Sequence, residues 1–161
     1  MEIRRATAAD AATVARLNRT VQRLHAGALP HLFKEPGEAA FSAQEFAALV
    51  ADEDAFVLIG CVAAEPVGYL YGQLVRRPAN ALRHALASGY IHHLAVEEAW
   101  RGRGCGAALV REAVARFRSE GIARIELDVW AFNAAAQRFF ARQGFAVFNQ
   151  RMCLETAPVG A

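Results

Sequence analysis

Apolar and polar residues recur along this chain with two different periods, and these periods divide it into predicted helices and strands. Val14, Leu17, Val21 and Leu24 follow a spacing of three and four residues, which predicts an amphipathic helix that Thr7 or Asp10 can cap. Apolar runs bounded by Pro, Gly and acidic residues predict strands. The predicted helices are residues 7–29, 42–50, 104–120 and 133–143. The predicted strands are residues 2–7, 55–63, 66–77, 90–96, 123–130 and 145–155.

The order of these elements is β-α-α-β-β-β-α-β-α-β. It predicts an α/β (α+β) fold with one mixed, mostly antiparallel sheet of about six strands and helices on both faces. Segments 30–41 and 78–89, which contain Pro and Gly, are predicted as loops. We expect a single domain over residues 1–156, followed by a frayed tail over residues 157–161.

The composition narrows the class of protein. The chain has 161 residues, of which 55% are hydrophobic and 21% are charged, as in ordinary globular domains. A formal net charge of +2 does not favour a nucleic-acid partner, and no apolar run is long enough to cross a membrane. The three cysteines show no metal-binding spacing, so we predict no metal site and a reduced, cytoplasmic setting.

The loop between the strand at 90–96 and the next predicted helix carries the clearest chemical signal. It reads WRGRGCGA, in which three glycines alternate with two arginines and a cysteine. Glycines allow the backbone to approach a ligand closely, and a helix N-terminus offers free N–H groups to phosphate oxygens. The loop is therefore either a phosphate cradle or simply a tight turn.

Two other phosphate motifs are compared with this loop. A Walker loop needs a Gly-Lys-Ser or Gly-Lys-Thr sequence, which is absent. The letters GRGCGA do fit the dinucleotide pattern, and Asp128 follows at a suitable distance. However, the five residues EEAWR separate the strand from the first glycine, and only one βαβ unit fits after residue 90.

The segment LAVEEAWRGRGCGAALV resembles the acetyl-coenzyme A loop of the GNAT superfamily of N-acetyltransferases, through Arg101, Gly104 and Gly106. The segment WAFNAAAQRFFARQGF is similar to a second family motif, and the order of elements is also that of the family. The resemblance is strong over residues 90–148. It implies acetyl-CoA as cosubstrate, a primary amine of a small molecule or peptide as acceptor, and direct attack in a ternary complex. Dimerisation is common in the family, and no residue of this chain decides whether a homodimer forms.

The resemblance also implies which residues bind the coenzyme. The strand segment Leu94, Ala95 and Val96 would bind the pantetheine arm through its backbone, where the family's strand bulges and splays from the next strand to open a cleft. The loop would bind the diphosphate, and three later residues would border the coenzyme. The loop residues are Arg101, Gly102, Arg103, Gly104, Cys105, Gly106 and Ala107, and the later residues are Asn133, Phe140 and Arg142.

Acetyl transfer needs a base for the amine and a proton for the leaving thiolate. We predict His92 as the base because some amine-acetylating family members have a histidine at this position. His93 is the alternative base, with Tyr90 in support of either; strict alternation would place His92 and His93 on opposite faces of the strand. The family's usual acid is a tyrosine, and this chain has Phe140 in its place.

Three questions stay open in the sequence. The thiolate could take its proton from water, Tyr69, Tyr71 or Tyr90. The acceptor could be guided by Glu35, Glu38, His25, His31 or Phe33, all in or near the first predicted loop. Because Phe140 cannot donate a proton, a non-catalytic sensor or interaction module that binds coenzyme A is the alternative function.

Overall fold

Five strands form one open sheet in the order β1-β2-β3-β4-β5 in the computed structural model, which describes residues 1–37 and 42–155. Neighbouring strands are antiparallel except β4 and β5, which are parallel. The strands are β1 Glu2–Arg5, β2 Ala55–Val62, β3 Glu65–Arg77, β4 Leu86–Val96 and β5 Ile125–Leu127. The helices are α1 Ala11–Ala28, α2 Ala43–Ala51, α3 Cys105–Ser119 and α4 Ala134–Arg142. Short 3-10 turns at Ala8–Asp10 and Glu98–Trp100 precede α1 and α3.

Helices cover both faces of this sheet, as the sequence predicts. Val14 and Leu17 of α1 and Phe46 of α2 bury the face that carries Tyr69, whereas Leu24, predicted on the same apolar stripe, is exposed. The buried members of this core are Ala6, Val14, Leu17, Phe46, Val57, Ile59, Cys61, Tyr69 and Ala95. On the other face, Phe117 of α3 meets Phe56 edge-on at 5.1 Å between ring centroids. A Cβ at Gly72 would lie 2.5 Å from the Phe56 ring, so this glycine allows the close packing of the two rings.

The parallel pairing at the end of the sheet is short. Strand β5 pairs with β4 only from Gly89 to Ile91, although β4 continues to Val96. Along its other edge, β4 stays paired with β3 as far as Val96, opposite Gly68. The segment 92–96 therefore belongs to the sheet through one edge, beyond the point where its pairing with β5 has ended.

Residues Met1–Asp128 form one compact unit that contains the sheet, and a second unit begins at Val129 and contains α4. Helix α3 ends before Gly121 and α4 before Gly144, and both glycines have the left-handed φ angles (74° and 90°) expected of a C-terminal glycine. Among the residues described, none of the helices combines the length and apolar character that crossing a bilayer requires.

The predicted elements need three corrections. No strand is formed by residues 145–155, so the described sheet has five strands and not six. In that segment Val147, Met152 and Leu154 are at least 80% exposed, so its apolar residues are not buried as those of a core strand would be. Strand β4 begins at Leu86, inside the predicted loop 78–89, and β5 is limited to three residues because pairing with β4 ends there.

Candidate functional site

The loop before α3 has the backbone geometry that its glycines predict. Gly102 and Gly104 have φ angles of 73° and 84°, in the left-handed region that residues with a Cβ rarely adopt. A Cβ built on either glycine would meet no described atom within 4 Å. Close packing therefore does not explain these glycines, whereas the turn of the backbone does.

This turn presents the start of α3 as a set of donors. The first hydrogen bond of the helix runs from the Ala108 N–H to the Gly104 carbonyl (3.0 Å), so the N–H groups of Cys105, Gly106 and Ala107 precede the helical ladder. They add to the positive end of the helix dipole, which favours an anion. The Cys105 side chain is buried at the base of the helix, so its thiol is not a surface nucleophile.

The two arginines of the loop contact the protein itself. Arg101 Nε donates to the Val96 carbonyl oxygen (3.1 Å), which ties the loop to the end of β4. The Arg103 guanidinium lies 5.2 Å from the centre of the Trp100 ring. Both arginine side chains therefore have partners within the protein, and the backbone N–H groups at the start of α3 are the main donors left to bind an anion.

A second set of contacts holds the start of the loop. Arg16 of α1 forms an ion pair with Glu97 and donates to the Pro66 carbonyl oxygen (3.0 Å). The Glu97 N–H donates to the Val67 carbonyl oxygen (2.9 Å). These contacts give Glu97 a structural role.

A β-bulge corrects the predicted orientation of the two histidines. Tyr71 pairs with His93 and the next residue, Gly72, pairs with Ile91, so His92 is the extra residue. The His92 ring stacks on Tyr71 at 4.4 Å between centroids, and the His93 ring meets Tyr71 edge-on at 5.9 Å. The expectation that they lie on opposite faces is wrong, because the bulge interrupts the alternation and brings both to Tyr71.

His92 lies at the accessible side of this cluster. Its Nε2 is 3.0 Å from Gln73 Oε1, and its ring centre is 4.7 Å from that of Tyr90. Partial burial lowers the pKa of His92 below its ordinary value of 6.5. The imidazole is therefore largely neutral at physiological pH, as a proton acceptor must be.

His93 lies deeper and contacts the core. Its Nδ1 is 3.2 Å from the Tyr69 hydroxyl, which donates to Asn18 Oδ1 (2.8 Å). Burial, together with repulsion from His92 and His25, lowers the pKa of His93 to about 4. His93 thus stays neutral at physiological pH and is part of a buried network.

The three tyrosines predicted as acids differ in their surroundings. Burial raises the pKa of Tyr69 far above its usual value of 10, which makes it a poor proton donor, and it also raises the pKa of Tyr71. The Tyr90 hydroxyl donates to Asp128 Oδ2 (2.6 Å). Asp128, considered above as the acidic residue of a dinucleotide pattern, is therefore a partner of Tyr90.

Comparisons with known proteins identify the family of this chain. The family model of the acetyltransferase (GNAT) family matches residues 19–145, which is most of the chain. This protein belongs to the acetyltransferase (GNAT) family. The family assignment disfavours the dinucleotide interpretation of the loop.

Solved structures of other proteins support the GNAT fold. The tetramutant of the BH1408 protein from Bacillus halodurans is 30% identical, with a TM-score of 0.91 over 97% of this chain and 100% of that chain. A ribosomal-protein-alanine N-acetyltransferase from Brucella melitensis has a TM-score of 0.70 at 18% identity, over 96% and 98% of the two chains. An aminoglycoside acetyltransferase from an uncultured soil metagenomic sample has a TM-score of 0.68 at 15% identity, over 97% and 95%. The last two show the fold alone, and no curated protein matches this chain in sequence.

The second GNAT motif lies in the unit that begins at Val129. Asn133 caps α4, since its side-chain oxygen accepts from the Ala136 N–H (3.0 Å). The ring of Phe140 lies 5.0 Å from that of Phe139 and 5.6 Å from that of Phe145. Arg142 is exposed in the last turn of α4. The structure gives Asn133 and Phe140 local structural contacts, and their predicted roles toward the coenzyme stay predictions.

The predicted acceptor residues are only partly described. His25 and Phe33 lie 4.9 Å apart between ring centroids, and His25 Nδ1 is 2.9 Å from the Val21 carbonyl oxygen. Glu35 lies in the loop after α1, whereas Glu38 lies outside the described residues. Helix α1 contacts β4, the strand that carries the two histidines of the cluster.

Sequence reasoning missed three polar residues next to this cluster, namely Asn18, Asp52 and Gln73. Gln73 interrupts the apolar run of β3 two residues after Tyr71, and strand periodicity puts it on the same face. That polar residue in an apolar strand was a usable signal. The contact with Asp52 was not, because it depends on how the end of α2 meets β3 in three dimensions.

Proposed function

We propose that this member of the GNAT family transfers an acetyl group from acetyl-CoA to a primary amine by direct attack in a ternary complex. The observation that supports it best is the combination of left-handed glycines at the start of α3 with a bulged strand carrying His92. The first feature suits a diphosphate, and the second presents a neutral base.

In this proposal, the coenzyme binds through backbone groups. The N–H groups from Gly102 to Ala107 bind its diphosphate, since the Arg101 N–H already donates to the Glu98 carbonyl oxygen (3.1 Å). The edge of β4 at residues 94–96 pairs with the pantetheine arm as an added strand would. Support comes from the short β4–β5 pairing, which ends at Ile91 and so precedes this segment. The thioester would then lie near the bulge at His92.

His92 acts as the base in the proposed mechanism. It removes a proton from the ammonium form of the acceptor, and the neutral nitrogen attacks the thioester carbonyl carbon. The tetrahedral intermediate collapses with cleavage of the carbon–sulfur bond, and the coenzyme thiolate leaves. The protonated imidazole then gives a proton to the thiolate, directly or through water, and the amide nitrogen releases its remaining excess proton to water, so that a neutral amide and a free thiol are formed. This route accounts for Phe140 in place of the family's tyrosine.

A test of this function begins with binding and then measures transfer. Acetyl-CoA at a hundred times its Kd should stabilise the protein by about 2.7 kcal/mol, measured as a rise in Tm. Thiol release should then appear with at least one member of a panel of primary amines. Absence of any Tm shift at millimolar acetyl-CoA would contradict the proposal.

The role of His92 is tested by His92→Ala. We expect kcat to fall by about a hundredfold or more, since general base catalysis contributes that much, while the Kd for acetyl-CoA stays within about twofold. His84→Ala is the control, because His84 is exposed in the β3–β4 loop. In the wild type, the midpoint of the acid limb of kcat/KM should lie below pH 6.5, since burial lowers the pKa of His92. Unchanged kcat in His92→Ala would exclude His92 as the base.

The absence of the family's tyrosine favours a second candidate function. With Phe140 in its place, the protein could bind acetyl-CoA and act as a sensor or interaction module without transfer. Strong Tm stabilisation by acetyl-CoA together with no thiol release across the amine panel would favour this second function.

A further inference from the structure

We propose that Gln73 and Asp52 are positioning residues that hold His92 in one tautomer, with the proton on Nε2 and the lone pair on Nδ1. The assignment of Nδ1 as the proton acceptor rests on the proposed acetyl transfer. The tautomer itself does not depend on the proposed function, and a separate experiment measures it.

A chain of two hydrogen bonds connects the three side chains. His92 Nε2 lies 3.0 Å from Gln73 Oε1, and Gln73 Nε2 lies 3.4 Å from Asp52 Oδ2. The chain crosses from β4 to β3 and ends at Asp52, directly after α2. It therefore connects the bulged residue to a part of the protein outside the β3–β4 pair.

The carboxylate of Asp52 determines how the Gln73 amide is oriented and, through it, which nitrogen of His92 carries the proton. An ionised carboxylate only accepts hydrogen bonds, so Asp52 selects the NH₂ group of the Gln73 amide. The amide oxygen must then face His92, and an oxygen can only accept. His92 Nε2 consequently carries the proton, and Nδ1 carries the lone pair.

Asp52 is itself held in place by local hydrogen bonds. Its Oδ1 accepts from the Asp54 N–H (2.9 Å), and its carbonyl oxygen accepts from the Ala55 N–H (3.2 Å). The Leu74 N–H donates to the Asp54 carbonyl oxygen (2.7 Å), which ties this turn to β3 next to Gln73. The carboxylate is thus a fixed reference for the amide.

The other groups around His92 contact its ring rather than Nε2. Tyr71 stacks on one face, and Tyr90, whose hydroxyl donates to Asp128, meets the ring at 62°. His93 stays largely neutral at physiological pH, and His25 lowers the pKa of His93 by charge repulsion. Of these contacts, the bond to Gln73 is the one that distinguishes the two ring nitrogens.

Nitrogen NMR of the imidazole ring tests the tautomer in the protein without any substrate. In the wild type near pH 7.5, His92, assigned by comparison with His92→Ala, should show a protonated Nε2 and an unprotonated Nδ1. Gln73→Leu should give a mixture of tautomers, and Asp52→Asn should shift the population in the same direction. Gln44→Leu, an exposed glutamine of α2, is the matched control and should leave the ring signals unchanged. A wild-type proton on Nδ1, or unchanged signals in Gln73→Leu, would overturn the proposal.

The pH dependence of transfer tests whether this positioning matters for the reaction. Gln73→Leu should lower kcat by about tenfold with little change in the Kd for acetyl-CoA. Gln73→Glu places a carboxylate against the imidazole, raises the pKa of His92, and should move the acid limb of kcat/KM to higher pH by about one unit. A Gln73→Glu profile equal to that of the wild type would exclude a positioning role. If no amine is acetylated at all, the proposed function fails, and the NMR result alone decides the tautomer.

Discussion

The loop before α3 and the histidine cluster on β4 are separated by only a few residues, yet they are built in opposite ways. The loop owes its form to backbone conformation: Gly102 and Gly104 turn left-handed, and the arginines contact the protein itself. The cluster depends on side chains from separate elements: Tyr71 and Gln73 contact His92, and Tyr69, which donates to Asn18 of α1, contacts His93. A backbone site is encoded locally, whereas a side-chain site depends on how strands and helices meet.

The largest expected effect comes from breaking the loop with Gly104→Val. A β-branched residue at a φ of 84° is strained by roughly 1–2 kcal/mol, and its side chain would occupy the space that the diphosphate needs. We expect the Kd for acetyl-CoA, measured by calorimetry, to rise by more than about a hundredfold.

The matched control is Gly27→Ala in α1, where a Cβ meets no described atom and the backbone is helical. It should leave the Kd unchanged and raise the free energy of unfolding by up to about 1 kcal/mol. Wild-type affinity in Gly104→Val would refute the idea that this backbone turn binds the diphosphate.

The same contrast explains what could be predicted from the sequence. Gly104, Gly121 and Gly144 could be placed because a left-handed residue beside a helix is a local requirement that glycine meets best. The helix α1 could also be predicted from a local signal, because its apolar residues recur every three or four positions. The family motif then gave the fold and the general class of reaction.

What could not be predicted depends on pairing between distant segments. The bulge at His92 has no marker of its own, since it is defined by the register of β4 against β3. The segment 145–155 has apolar residues like those of a strand, but a strand also needs hydrogen bonds to a neighbour, and the pattern does not report these. In both segments, the pairing between strands in the folded protein, and not the local sequence, determines the backbone structure.

The next effect concerns the stability of the histidine cluster in acid. The pKa of His93 is about 4 in the folded protein and near 6.5 when unfolded, so the unfolded state binds more protons between these values. The free energy of unfolding should therefore fall as the pH drops from 6.5 to 4.5, by about 2 kcal/mol from this residue.

Chemical denaturation of the wild type and of His93→Gln at several pH values measures this contribution. The variant should lose less stability over the same interval, while His84→Gln should behave like the wild type. Asp10, whose pKa Arg4 lowers to about 2, affects stability only at lower pH. An equal loss of stability in His93→Gln and the wild type would mean that His93 is not protected in the folded state.

The smallest effect should come from a charged side chain of the loop. The Arg103 guanidinium is exposed and rests against Trp100, so it attracts a diphosphate only through a screened, long-range interaction. Arg103→Gln should therefore weaken acetyl-CoA binding by less than about fivefold, and added salt should reduce the difference further. Arg111→Gln, on the exposed face of α3, serves as the charge-matched control. If Arg103→Gln lowered affinity as much as Gly104→Val, side-chain charge and not the backbone would bind the diphosphate, and the contrast between loop and cluster would disappear.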